Sequence, residues 1–89
     1  MADSAPELPP PSFEMLVQLL SSQALLGLGL IPGPNGKVEK QLTVSRHFIE
    51  LLSILFDKTQ GHLTDAESKM LAGNLHELRM AFVEASKTP

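Results

Sequence analysis

Between residues 12 and 31, and again between 42 and 56, large apolar side chains recur so densely that they cover well over half of a helical circumference. In the first stretch Glu14, Gln18, Ser21 and Ser22 fall on one narrow polar stripe when residues are placed 100° apart. Val17, Leu20, Leu16, Ala24 and Leu28 form one apolar flank, and Met15, Leu19 and Leu26 form the other. Ser12 is a favourable N-cap, and Glu14 in the first turn opposes the positive end of the helix dipole. Gly27 and Gly29 each weaken a helix by roughly 1 kcal/mol relative to Ala, so the first helix is expected over 12–28.

The segment from Leu30 to Lys37 holds two prolines, two glycines and an Asn-Gly pair, which predicts a loop with a left-handed turn. A short extended piece over Lys37–Glu39 is expected after it. The second helix is expected over 42–60. Thr43, Arg46, Glu50, Ser53 and Asp57 make its wet stripe, and Gly61 is its terminator. Thr64-Asp65-Ala66-Glu67 then matches a capping box, in which a Thr oxygen and a Glu carboxylate satisfy orphan amides reciprocally. The third helix is expected over 65–85, with a narrow stripe of Leu71, Leu75, Leu78 and Phe82.

These elements predict an all-α fold: a helical hairpin plus a third helix, forming one domain over residues 12–86. A proline-rich disordered lead over 1–11 precedes it and a short tail over 87–89 follows. With 43% hydrophobic residues the centre of the chain is too apolar for disorder. A domain this small buries only about 60% of the surface its unfolded chain exposes, and without cysteine no disulfide or thiolate metal site reinforces it. Self-association is the expected remedy, with a dimer favoured. Met15, Leu19 and Leu26 are the expected self-association face, and the Leu16/Val17/Leu20/Ala24 flank is the expected core. Ser12, Gly61, Thr64 and Glu67 are expected as caps and turns.

A net charge of −3 and seven scattered basic residues argue against nucleic acid, whose phosphates require clustered cations. The acidic, proline-rich start has no positive region before the apolar run, so no secretory leader is expected and the location expected is cytoplasmic. The first apolar stretch approaches the roughly 20 residues of a membrane span, but polar residues and glycines interrupt it.

No chemistry survives inspection. Gly27-Leu28-Gly29 with Gly33 has the third glycine one position too late for a dinucleotide fingerprint, and Gly36-Lys37 lacks the rest of a phosphate loop. All these glycines are expected in turns. His47 and Glu50 have helical ligand spacing but form a single pair, while His62 and His76 stand apart from them. Ser45 and His47 point about 200° apart on a helix, so they are not a nucleophile and its base. Neither an enzyme nor a cofactor or metal is expected.

Three blocks carry a family likeness: SFEMLVQLLSSQALLGLGLIPGPNGK, HFIELLSILFDKTQGHLTDAE and LHELRMAFVEA, in that order across residues 12–85. They resemble a family of small bacterial proteins known as "domain of unknown function 1844". The resemblance implies a small helical protein and assigns no catalytic or cofactor residues. The function expected is a self-associating helical interaction or regulatory module. The alternatives are an apolar groove that accepts a helix from another protein and, below that, a peripheral lipid-binding protein.

Overall fold

A computed structural model of the chain describes residues 8–87. It contains α1 (Phe13–Leu28), α2 (Leu42–Lys58) and α3 (Asp65–Lys87), each packed against the other two. The domain is all-α, and no strand occurs among the described residues; Lys37–Glu39 is coil. The lead expected over 1–11 falls partly outside the described residues; residues 8–11 are exposed coil. Lys87, expected in a tail, is the last helical residue of α3.

Local chemistry sets the helix ends. The Ser12 hydroxyl accepts the Met15 amide at 3.1 Å, satisfying one orphan donor of α1. At the other end Gly29 is left-handed, with φ of 76°. Its amide donates to Leu26, and the Leu30 amide reaches back to Leu25, the two bonds of a Schellman closure. The loop folds over a turn in which the Gly36 amide donates to Gly33, and the Asn35 side chain accepts the Lys37 amide at 3.0 Å.

α2 ends at Lys58, two residues before the expected boundary. The Leu55 carbonyl still accepts the Thr59 amide at 3.1 Å, but the next one, Phe56, accepts the Gln60 side chain at 2.9 Å while the Gln60 backbone amide turns to Asp57, so the ladder stops there. The left-handed residue is Gly61, φ 83°, two positions past the cap. Thr64 and Glu67 make both bonds of the capping box: the Thr64 amide to the carboxylate at 2.9 Å and the Glu67 amide to the hydroxyl at 3.1 Å.

The core is small: Val17, Ala24 and Leu28 from α1, Ile49 and Leu52 from α2, and Leu71, Leu75 and Leu78 from α3. Two features of α1 differ from the expectation. Leu16, assigned to the core, is 43% exposed. Ser21, assigned to the polar stripe, is buried and accepts a 3.4 Å hydrogen bond from Asn74 of α3. The physical reason lies at Gly27, which is helical rather than part of a turn. A Cβ placed there would stand 2.6 Å from the Ser45 backbone nitrogen of α2, and the Gly27 carbonyl accepts the Gln41 amide at 2.7 Å. This near-contact of two backbones draws burial toward the C-terminal half of α1, where Ser21, Ala24, Gly27 and Leu28 are all enclosed. The N-terminal half keeps only Val17 fully inside.

Candidate interaction surface

α1 packs Phe13, Leu20, Leu25 and Leu28 inward beside its small core residues, and leaves Met15, Leu16 and Leu19 substantially exposed. Met15 is 42% exposed and Leu19 59% exposed, while Leu26 is half-buried beside the 31–37 loop. A helical projection puts all three opposite Val17 and Leu28. The structure therefore brings Met15, Leu19 and Leu26 onto one face. Ser22, which the sequence reading placed on the polar stripe, is exposed at the edge of this face. The signal for Ser22 was available: positions 15, 19, 22 and 26 repeat with spacings of four, three and four. α1 carries one ionisable residue, Glu14, so the face is nearly free of charge.

Beside Leu26 the loop leaves an open notch lined also by Gly33, Pro34, Asn35, Lys37, Glu39 and Gln41. A second apolar depression lies between α2 and α3, with Ile49, Phe82 and Val83 below and Arg46, Glu50 and Arg79 at the rim. Its rim charges are tied within the chain. Arg46 meets Glu50 at 3.3 Å, and the Arg79 guanidinium donates to the Ser53 hydroxyl at 3.1 Å. Lys40 crosses from the loop to the end of α3, where its ammonium donates to the Ala85 carbonyl at 2.9 Å, a favourable place for a cation.

The residues weighed for chemistry are dispersed. His47, His62 and His76 are each exposed, and the His47 ring stands edge-on to Phe48 with centroids 5.2 Å apart. No group of three His, Cys, Asp or Glu side chains suited to a metal ion occurs among the described residues. Ser45 is fully enclosed in the α1–α2 contact, and its hydroxyl has no hydrogen-bond partner. No helix among the described residues is long and apolar enough to cross a membrane.

Neither a curated protein nor a solved structure matches the chain. The model of one family, described as a domain of unknown function (DUF1844), matches residues 10–84, which is most of the chain and all three helices up to the last turn of α3. The chain belongs to that family.

Proposed function

We propose that the protein is a non-enzymatic, self-associating helical module of the cytoplasm, working as a scaffold or regulatory subunit and assembling as a dimer through the outer face of α1. The observation that carries this reading is the placement of Met15 and Leu19 in solvent on the side of α1 opposite the core, on a face that offers a partner no charge. A standard interface covers about 800 Å² on each partner. Burying a Leu contributes about 1.5–3 kcal/mol, so a few such residues from each subunit sustain association.

Static light scattering at high micromolar concentration is the test. The wild-type protein is expected at twice the monomer mass, and Leu19→Lys at the monomer mass with its helical signal retained. A monomeric wild-type protein overturns the reading. It would promote the second one, in which the α2–α3 depression floored by Ile49, Phe82 and Val83 accepts an amphipathic helix from another protein.

A further inference from the structure

We infer that Asn35 is a self-modification site: its side-chain amide closes on the backbone nitrogen of Gly36 with loss of ammonia, and water reopens the ring to leave Asp or isoaspartate at position 35.

The turn over 33–37 supplies what the reaction needs. The nucleophile is the Gly36 nitrogen. Gly36 has no side chain to obstruct an approaching carbon, its φ is 78°, and nothing lies within 4 Å of where a Cβ would stand. The electrophile is the side-chain carbonyl of Asn35. Its oxygen accepts the Lys37 amide at 3.0 Å, which folds the side chain back over the Asn35–Gly36 peptide. Asn35, Gly36 and Lys37 are all exposed, so water and hydroxide reach the group. One bond opposes the step, the Gly36 amide donating to the Gly33 carbonyl at 2.9 Å. It closes an exposed turn outside any helix, where local opening costs little.

Hydroxide takes the Gly36 amide proton, the nitrogen bonds to Asn35 Cγ, and negative charge develops on Oδ1. The Lys37 amide already points at that oxygen and stabilises the charge, as a preorganised donor does for an oxyanion. The Cγ–Nδ2 bond then breaks, and the departing nitrogen takes a proton from water and leaves as ammonia. Water adds to either carbonyl of the cyclic imide. Addition at Cγ restores the main chain and leaves Asp. Addition at the main-chain carbonyl leaves isoaspartate, with the chain running through the former side chain. That carbonyl is the more electrophilic, because the amide nitrogen of residue 35 withdraws electrons beside it, so isoaspartate is the major product.

Both products add one negative charge to a chain of net charge −3. Isoaspartate also alters the turn. Its extra main-chain carbon separates the groups that close it, the Gly36 amide from the Gly33 carbonyl and the Gly33 amide from the Lys37 carbonyl, now 2.8 Å apart. A Cβ on Gly33 would stand 3.5 Å from the Leu26 side chain, so this turn rests on the end of α1, and rearrangement loosens that seat.

The other asparagine of the chain is an internal control. Asn74 lies within α3, donates to the Ser21 hydroxyl at 3.4 Å, and precedes Leu75, whose nitrogen is held in the helix and whose side chain is buried. The folded full chain is incubated at mildly alkaline pH in heavy-oxygen water, and its peptides are mapped by mass over time. Asn35 is expected to convert at least on the order of tenfold faster than Asn74, since only Asn35 holds both reacting groups within reach. Each event should incorporate heavy oxygen, the rate should rise in proportion to hydroxide, and isoaspartate should exceed Asp. Equal rates at the two asparagines overturn the inference. Asn35 left intact in the folded chain, over a period that converts it in the same chain unfolded by urea, shows that the turn protects it and overturns the inference too. Conversion to Asp without isoaspartate means direct hydrolysis and removes the ring closure.

Discussion

The two sides of α1 show opposite solutions to the same problem. The inner side is built from Val17, Ser21, Ala24, Gly27 and Leu28, and most of these are small. The outer side carries Met15, Leu16 and Leu19, which are larger and more apolar yet lie substantially in solvent. Hydrophobicity ranked residue by residue would put the outer set in the core. What decides the matter is distance of approach. With only hydrogen at Gly27, the backbones of α1 and α2 meet almost directly, and the Gln41 amide closes on the Gly27 carbonyl. Small residues thus make the tightest contact, Phe13, Leu20 and Leu25 pack around it, and Met15, Leu16 and Leu19 remain in solvent.

The largest effect that can break this comparison comes from placing the same charge on each side. Val17→Lys puts an ammonium with no partner into a fully buried site and is expected to abolish cooperative unfolding. Leu19→Lys is expected to keep a cooperative melt and lose only assembly. Equal loss of folding in both, measured by circular dichroism on heating, would show that the outer side is core after all.

Next in size is a contrast between two helical glycines. Gly27→Ala forces a Cβ against the α2 backbone and is expected to cost about 2 kcal/mol in urea unfolding, even though Ala is the better helix former. Gly73 in α3 has nothing within 4 Å of where a Cβ would stand. Gly73→Ala is therefore expected to raise stability by about 0.5–1 kcal/mol. A gain at Gly27, or a clear loss at Gly73, would reverse the assignment of which glycine is packed.

Between those two effects in magnitude stands a change that belongs to neither side. Thr64→Ala removes the hydroxyl that holds the Glu67 amide at the start of α3 and is expected to cost about 1 kcal/mol. Its value as a control is locality. The loss should appear in stability alone, with the oligomer mass unchanged, because the cap touches no face of α1. The smallest change is expected at the outer edge, where Leu16→Ala removes a half-exposed side chain and should lower the melting midpoint less than Val17→Ala does.

How much of this was legible without coordinates depended on the range of the interactions. Ser12, Gly29 and the Thr64–Glu67 pair could be read directly, since a cap involves groups no more than about four residues apart and their chemistry is complete within that window. The all-α class and the three helices followed from periodicity for the same reason. The end of α2 lies two residues before the expected one because the Gln60 side chain takes the Phe56 carbonyl and its backbone amide turns to Asp57, a competition that composition does not announce. The family likeness, too, was visible in the three sequence blocks.

Which side of α1 faces inward was a tertiary decision. Ser21 reads as polar surface until Asn74, 53 positions away, supplies its hydrogen bond. Gly27 reads as a helix breaker until the α2 backbone arrives against it. Leu16 reads as core until that crossing draws burial toward the other end of the helix. Sequence pattern specifies how much apolar surface a helix carries and around what arc. It cannot specify how closely another backbone will approach, and in a domain this small the closest approach determines which residues are enclosed and which remain available to a partner.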